Sequence, residues 1–340
     1  MNTSASTSSY GADEAGLVYG YTFSSGACGK AVESSQADAW LREAASGKGE
    51  FVWLHFNAAH ISAEKWLRAH LDLPEAFFEA LHEGSRSTRI EQADGTLVAV
   101  LNDVIYDFAH VESLQVSTLW LSVDATHLIS VRRQPLRSVD RLRTAVKAGA
   151  CFPSAVALVV HLLRDQAEVL TQIVRSTTGK VDSIEDTFLS GRLETKRAEL
   201  GSLRRDLVRL QRLLAPEPAA LFRLLNRPPE WMEEQDILEL RQSTEEFSVA
   251  IRDMTGLQER IKLLQEEIAA HIGEQTSRSV FVLTAVTVLA LPINMIAGLF
   301  GMNVGGVPLA QHSHGFWIVV ALVGAFTAAA GWIAFRKRAG

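Results

Sequence analysis

The feature that most constrains this chain is an uncharged stretch near its C-terminus, residues 279–335, which contains no Asp, Glu, Lys or Arg. Charged residues make up 21% of the whole sequence, so a gap of this length is hard to obtain by chance. The stretch consists of two apolar runs with a short link between them. Each run has about the ~20 residues that a helix needs to cross the ~30 Å hydrocarbon core of a bilayer. The pattern predicts two transmembrane helices, 279–301 and 316–335, joined by an external loop, 302–315.

The distribution of basic residues predicts the orientation of this hairpin. Arg278 precedes the first run, a basic tail (336–340) follows the second, and the link contains no basic residue. Basic residues mark the cytoplasmic side of a membrane, so both termini are predicted to be cytoplasmic. The alternative is a buried hairpin in a large soluble protein, and two consecutive uncharged runs of this length argue against it.

The part of the chain before the first run is acidic, with 39 acidic and 30 basic side chains. This balance argues against nucleic acid as a partner and favours cations, although ordinary solubility charge explains it equally well. Cys28 and Cys151 are far apart without CxxC spacing, which fits a reducing compartment with no disulfide framework and no metal cluster. Residues 1–16 are rich in Ser and Thr and are predicted to be disordered, without a signal peptide.

Residues 17–150 read as a mixed α/β cytoplasmic domain. Short runs rich in aliphatic and aromatic residues predict strands, namely 17–23, 51–57, 97–108, 114–123 and 127–133. Helices are predicted between them at 37–45, at 62–71 with Ser62 as the cap, and at 74–83 with a proline at the start. The domain contains no GxGxxG, no GxxxxGK[ST] and no nucleophile elbow, so neither nucleotide chemistry nor an enzyme activity is predicted.

After this domain the strand signals stop and the chain reads as helical. One helix is predicted over 136–147, and residues 151–232 form a helical hairpin: helix 153–190, a break at Gly191, a return over 194–225 and a turn at 227–230. A stalk helix (233–278) is predicted to run without interruption into the first membrane span. This continuous helix has about 65 residues, or ~100 Å at 1.5 Å per residue.

A helix of this length must pack along its side. An apolar stripe on the stalk follows coiled-coil spacing, and its members are Leu257, Ile261, Leu264, Ile268 and Gln275. The charged residues Glu259, Lys262 and Glu266 lie on a different face. One interpretation is a ring of identical helices around a wet axis. The other, equally consistent with the stripe, is packing against earlier helices of the same chain.

The first membrane run has a face suited to line an aqueous path. Its members recur at three-to-four spacing: Val280, Leu283, Thr287, Leu291 and Asn294. Two helices per chain cannot enclose a pore, so several chains would be needed. Pro292 weakens the helix, since it cannot donate a hydrogen bond to the Val288 carbonyl. An amide at the depth of Asn294 should face protein or water, and helix–helix contact is its alternative role.

At the outer end of this run stands Gly301-Met302-Asn303. A Gly-Met-Asn motif that closes the first of two C-terminal spans, after a long helix and a mixed cytoplasmic domain, resembles the CorA superfamily of divalent-cation transporters. The resemblance implies an α+β membrane protein of the bacterial inner membrane, assembled as a funnel-shaped homopentamer whose first span lines the pore. Asn303 would then form a ring at the external mouth, with Gly301 and Met302 shaping the turn.

Amide oxygens can hydrogen-bond the water shell of a divalent ion without removing it, which suits cations that dehydrate reluctantly. Asn303 is therefore predicted to select a hydrated ion, and Asn294 to form a second polar ring. Leu283 and Leu291 are predicted to act as hydrophobic constrictions that close by dewetting. On the cytoplasmic side, the same helix face continues toward the predicted vestibule residues Glu266 and Glu259.

The loop suggests which cation is transported. Magnesium-transporting members of the superfamily usually carry acidic residues soon after Gly-Met-Asn, whereas Val304–Leu309 here contain no carboxylate. This loop resembles that of the ZntB branch. The resemblance implies Zn²⁺ as cargo, together with related ions such as Co²⁺, Ni²⁺ or Cd²⁺, and it links the branch to proton-coupled transport. His312 and His314 could sense metal or protons, or could belong to a solvated loop. His271 is a weaker candidate of the same kind.

Three alternatives remain open at this point. A CorA-type Mg²⁺, Co²⁺ or Ni²⁺ transporter is the nearest. A membrane-anchored coiled-coil scaffold would transport nothing, and a tethered enzyme would need an acid/base or nucleophile set that the sequence does not show. No bound cofactor is predicted, and the predicted partners are four further copies of the chain, the lipid bilayer and the transported ions.

Overall fold

The computed structural model describes residues 11–24, 28–43, 50–84, 87–106, 114–191, 197–302, 309 and 312–336. The strands are β1 (Leu17–Phe23), β2 (Lys30–Val32), β3 (Phe51–Asn57), β4 (Arg89–Ala93), β5 (Thr96–Val104), β6 (Val116–Val123) and β7 (His127–Arg132). The helices are α1 (Ser34–Glu43), α2 (Ile61–His70), α3 (Glu75–Glu83), α4 (Arg137–Lys147), α5 (Ala155–Leu189), α6 (Arg197–Leu214), α7 (Pro216–Leu225), α8 (Glu234–Phe300) and α9 (Gly315–Arg336). Two compact units result, Met1–Leu264 and Gln265–Gly340.

The first unit is built around a mixed seven-stranded sheet in the order β2-β1-β3-β7-β6-β5-β4. The β3–β7 pair is parallel and every other neighbouring pair is antiparallel. Successive side chains of a strand point to opposite faces, so one strand serves two cores. On β3, Phe51 and Trp53 belong to the core with α4, α5 and α7, whereas Val52 and Leu54 belong to the core with α1, α2 and α3. The predicted mixed α/β domain followed by a long C-terminal helix is confirmed.

The predicted strands are confirmed where the sequence is apolar. β1 and β3 have the predicted bounds, while β5 ends at Val104 instead of residue 108. β2 and β4 were not predicted. Both lie at the sheet edges, where β2 has three residues and β4 has the polar sequence RIEQA. Edge strands are commonly short or charged, which discourages pairing with other chains and also removes the apolar signal.

Several helix ends differ from the prediction for identifiable reasons. α2 is capped by His60, whose Nδ1 accepts a hydrogen bond from the Ser62 amide at 3.3 Å, so the prediction of Ser62 as the cap was wrong. The predicted single return helix over 194–225 is two helices, because Pro216 has no amide hydrogen to continue α6 and instead starts α7. The predicted break at Gly191 is confirmed; its φ of 81° is in the left-handed region that glycine favours.

The uninterrupted long helix is also confirmed, since α8 has 67 residues and contains Pro292. Four members of the predicted stripe, Leu257, Ile261, Leu264 and Ile268, are buried by the chain itself, whereas Gln275 is exposed. This part of α8 also forms an exposed ion pair with α5, in which the Arg260 guanidinium lies 2.7 Å from the Asp182 carboxylate. For Leu257, Ile261 and Leu264, the structure therefore favours packing against earlier helices of the same chain over a ring of identical helices.

Membrane-spanning potential is concentrated in α8. Within the described part of the chain, α8 contains an uncharged window long and apolar enough to cross a bilayer, and none of that window is buried. α9 has 22 residues, and its described apolar part, Gly315–Ala329, is shorter than the ~20 residues that a helix needs to cross a bilayer. Length and composition therefore identify one potential span among the described residues.

The two cysteines lie side by side, which their sequence separation hides. An isolated antiparallel bridge pairs Cys28 with Cys151, and their Sγ atoms are 2.6 Å apart. Both thiols are free and exposed, and the hydrogen bond with Cys28 raises the pKa of Cys151. The absence of CxxC spacing therefore did not indicate how close the two side chains are.

Candidate functional site

The residues of the predicted pore-lining face of α8 are all exposed in the single chain. Leu283 and Leu291 are 69% and 67% exposed, and the other three members, Val280, Thr287 and Asn294, are exposed as well. At about 100° per residue, most half-buried positions lie on the opposite side of the helix, and these are Phe281, Ala285, Leu289, Pro292, Ile293 and Ile296. Half-buried Ala290 lies beside the predicted face. The predicted face thus has no covering in the described chain and is available to lipid or to other copies. Its role as a pore lining stays a prediction.

Two local features shape the polar character of this face. The Thr287 hydroxyl donates to the Leu283 carbonyl at 2.9 Å, which leaves its oxygen lone pairs on the exposed side. One turn further, Pro292 lacks an amide hydrogen, so the Val288 carbonyl loses its helical donor while the helix continues to Phe300. Asn294 follows on the same exposed face as Thr287. The segment therefore combines apolar residues with a few outward polar groups.

The end of α8 shows how the Gly-Met-Asn segment begins. The Gly301 amide donates to the Ala297 carbonyl at 2.9 Å, and the Met302 amide to the Leu299 carbonyl at 3.4 Å. A Cβ atom at Gly301 would lie 3.1 Å from the Ala297 oxygen, so glycine allows this close turn. Met302 is 51% exposed. Asn303 lies outside the described residues, and its predicted role stays a prediction.

His312 and His314 lie on one exposed turn before α9. Their ring centroids are 6.2 Å apart, and the His314 amide donates to His312 Nδ1 at 3.3 Å. A zinc site takes three or four protein ligands. Across the described residues, no group of three or more His, Cys, Asp or Glu side chains is placed to hold a metal. This histidine pair alone is therefore an incomplete metal site.

The predicted vestibule carboxylates are exposed on α8, outside the apolar window. Glu259 has a nearby cation, since its carboxylate lies 3.8 Å from Lys262 Nζ. Glu266 is seven residues further and exposed on the same face. His271 is exposed, with its Nε2 atom 3.0 Å from the Gln275 amide nitrogen. The structure leaves Glu266 better placed than Glu259 to attract cations, because Lys262 offsets the charge of Glu259.

A buried acidic pair that the sequence analysis missed lies in the first unit. Glu217 Oε1 accepts a hydrogen bond from the backbone amide of Asn102 at 2.6 Å. The Asp103 carboxylate accepts from the backbone amide and from the hydroxyl of Ser138, both at 2.9 Å. Burial raises the pKa of Asp103 to about 6 and that of Glu217 well above its usual value. Asn102-Asp103 interrupts an apolar strand, which was the available signal. Glu217 Oε2 has no hydrogen-bond partner among the described residues.

Replacing Glu217 with glutamine is expected to flatten the dependence of stability on pH. A carboxyl whose pKa is raised by folding favours the folded state below its unfolded pKa, near ~4.3, and that contribution is lost as pH rises through the folded pKa. At pH 8 the variant should gain on the order of 1–3 kcal/mol, because glutamine stays neutral where burial opposes ionisation of Glu217, and each unit of pKa shift corresponds to about 1.4 kcal/mol. Thermal melts of the full chain between pH 5 and pH 8 measure it. The exposed Glu230→Gln serves as the control, and equal pH slopes for both variants would contradict the expectation.

Comparison with known proteins decides the family. The family described as "CorA-like Mg2+ transporter protein" matches residues 48–337, well over half of the sequence. The chain belongs to this family. The resemblance inferred from Gly301-Met302-Asn303 and from the order of elements is thereby confirmed at the level of the family, which is a transporter family.

Individual relatives of this CorA-family chain point to two named groups. It is 28% identical over 330 residues to the divalent cation transporter CmaX of Pseudomonas aeruginosa, covering 96% of this chain and 97% of CmaX. It is 24% identical over 277 residues to the zinc transport protein ZntB of Pectobacterium carotovorum subsp. carotovorum, covering 80% of this chain and 84% of ZntB. The structure of full-length CmaX superposes with a TM-score of 0.78 at 26% identity, covering 96% of this chain and 99% of CmaX.

These comparisons qualify the predicted branch. The similarity to CmaX is higher in identity and in coverage than the similarity to this ZntB. CmaX, which is the more similar of these two relatives, is described as a transporter of divalent cations and not of zinc in particular. The comparisons therefore show a family of divalent-cation transporters and do not distinguish Zn²⁺ from other divalent ions.

Proposed function

We propose that this CorA-family chain is a homopentameric divalent-cation transporter of the bacterial inner membrane that carries Zn²⁺. The observation that carries the proposal is the unpartnered face of α8, which leads directly into Gly301-Met302-Asn303. Five copies of that face can enclose an aqueous path, which the two C-terminal helices of one chain cannot. Because the chain belongs to a transporter family, we assign transport to this face.

In the proposed membrane arrangement, residues 279–301 and 316–335 span the bilayer and residues 302–315 form the external loop. Arg278 and the basic tail, 336–340, then lie on the cytoplasmic side together with the α/β domain (17–150), the helical hairpin (151–232) and the stalk (233–278). Phe316 and Trp317, which are 73% and 68% exposed, suit the outer membrane–water interface. The apolar window of α8 supports the first span.

The proposed path selects a hydrated ion. Amide oxygens of an Asn303 ring accept hydrogen bonds from the water shell of the cation, and the outward Asn294 amide provides a second polar ring deeper in the path. Leu283 and Leu291 form apolar constrictions that exclude water, and therefore ions, when the helices approach one another. Glu266 attracts cations at the cytoplasmic end.

Zinc is preferred as cargo because of the chemistry of the loop. Carboxylates favour the hard Mg²⁺ ion, and residues 302–315 contain none. The same loop contains His312 and His314. Five copies would bring ten imidazoles to the mouth, and imidazole binds zinc as well as protons. The similarity to ZntB supports the same choice. Magnesium is the second candidate, because the family description names it.

Flux measurements in proteoliposomes distinguish these cargoes. We expect Zn²⁺ uptake to exceed Mg²⁺ uptake at equal concentration, and we expect an inward proton gradient to increase the Zn²⁺ flux, as proton-coupled uptake requires. Entrapped metal-sensitive dyes report each flux. Collapse of the gradient with a protonophore and protein-free liposomes are the controls. A magnesium-selective flux that ignores the gradient would instead establish the second candidate.

A further inference from the structure

A pocket of about 220 Å³ in the first unit contains two arginines and one carboxylate. It lies where the ends of β1 and β7 meet the start of α4, and its main polar lining consists of Tyr19, Tyr106, Arg132, Asp140 and Arg143. In the described part of the chain, no carboxylate oxygen lies within 4.0 Å of either guanidinium. Two guanidinium charges and one carboxylate leave this pocket, here named the Arg132–Arg143 pocket, with an excess of positive charge.

Arg132 is held in place by a neutral partner. Its Nε atom donates to His55 Nε2 at 2.7 Å, and His55 Nδ1 lies 2.7 Å from the Ser130 hydroxyl. Burial, with the nearby Arg132 charge, holds the pKa of His55 well below its usual range, so the imidazole is neutral and accepts at Nε2. The histidine therefore orients the guanidinium without neutralising it. No hydrogen bond in the described structure uses the Nη atoms of Arg132, which remain available to a ligand.

Two buried donors in the same pocket have no acceptor. Arg143 lies against the Tyr19 ring, with its Cζ atom 4.7 Å from the ring centroid. The Arg143 Nε and the Tyr19 hydroxyl are both buried and lack a hydrogen-bond partner in the described structure. Burial raises the pKa of Tyr19, so the phenol keeps its proton and can donate. Buried donors without acceptors are destabilising, and an oxyanion whose entry uncovers these two atoms would satisfy both.

We propose that the Arg132–Arg143 pocket binds a small oxyanion of the phosphate class. Guanidinium groups bind tetrahedral and planar oxyanions through paired hydrogen bonds, and the Tyr19 hydroxyl adds a third donor. A cavity of about 220 Å³ is smaller than the range typical of larger organic ligands, so it suits free phosphate better than a nucleotide. This binding site is separate from the proposed ion path, and its test does not depend on transport.

Inorganic phosphate is the probe that tests this site on the full chain in detergent. At constant ionic strength, potassium phosphate should raise the thermal midpoint relative to potassium chloride, and calorimetry should show a saturable site. Arg143→Met should weaken phosphate binding at least tenfold, and Tyr19→Phe several-fold. Arg141→Met is the matched control, because Arg141 is also on α4 but pairs with Glu168 at 3.1 Å outside the pocket. It should bind phosphate like the unmodified chain.

Far-UV circular dichroism verifies that each variant is folded. If Arg143→Met fails to fold, Tyr19→Phe decides the matter, since it removes a single oxygen that has no partner. Chloride producing the same stabilisation as phosphate would overturn the proposal, as would phosphate affinity unchanged in both Tyr19→Phe and Arg143→Met. Acetate and sulfate titrations show whether the pocket prefers a carboxylate or a tetrahedral anion, and preference for acetate over phosphate also overturns the assignment to the phosphate class.

Discussion

Replacing Asn303 with alanine is expected to reduce zinc uptake in proteoliposomes by more than tenfold while leaving the protein assembled in the membrane. In the proposed path, the Asn303 amides accept hydrogen bonds from the water shell of the arriving cation, and alanine has no acceptor to replace them. A divalent ion loses its hydration reluctantly, so each missing acceptor acts on the entry step. A tenfold loss of flux corresponds to about 1.4 kcal/mol summed over the ring. The loss of one or a few hydrogen bonds is enough to account for that free energy.

The measurement is the initial Zn²⁺ flux, with oligomeric mass from light scattering as a test of assembly. Asn226→Ala is the control, because Asn226 is an exposed asparagine that ends α7 and lies outside the proposed path. An Asn303→Ala protein that transports zinc at the unmodified rate would remove the proposed selectivity ring and would favour the membrane-anchored scaffold.

Replacing Trp53 with alanine is expected to be the most damaging single change to the first unit. Trp53 is 1% exposed on the interior strand β3, and its ring packs against those of Tyr19 and Tyr21, with ring centroids 5.2 Å and 5.9 Å away. Its Nε1 atom donates to the Ser130 hydroxyl at 2.9 Å. Truncation removes this packing and leaves a cavity, so the free energy of unfolding should fall by about 3–5 kcal/mol.

Chemical denaturation followed by far-UV circular dichroism measures the loss without relying on tryptophan fluorescence. Trp53→Phe separates the two contributions, since it retains most of the ring and loses the hydrogen bond, and we expect it to cost about 1–2 kcal/mol. Leu238→Ala is the exposed control, because Leu238 is 56% exposed on α8. A Trp53→Ala protein as stable as the Leu238→Ala protein would contradict the position assigned to the core.

The elements that the sequence predicted well are those whose signal is local. β1 and β3 have the predicted bounds because runs of aromatic and aliphatic residues favour extended structure wherever they occur. α8 was predicted as one helix because its stalk lacks Pro and has few glycines. β2 and β4 were missed because their pairing with a neighbouring strand, and not their side chains, makes them strands.

The candidate sites divide in the same way. The face of α8 follows from helical spacing within 15 residues, and Gly301-Met302-Asn303 is a contiguous motif, so both were recognisable in the sequence. The Arg132–Arg143 pocket was not recognisable, because it joins β1, β7 and α4. Similarly, no spacing rule relates Asn102 to Glu217, whose contact spans 115 positions.

The sequence by itself determined that this chain has an apolar C-terminal helix with a distinctive Gly-Met-Asn end, and that its N-terminal part is a mixed α/β domain. Those properties depend on periodicity and composition, which act over one or two helical turns or a single strand. Only the tertiary structure decided that the stalk stripe is covered by its own chain, that Cys28 meets Cys151, and that Arg132 and Arg143 share a pocket. Contacts of this kind depend on which distant segments fold against each other, and their free energy comes from burial that no short stretch of sequence contains.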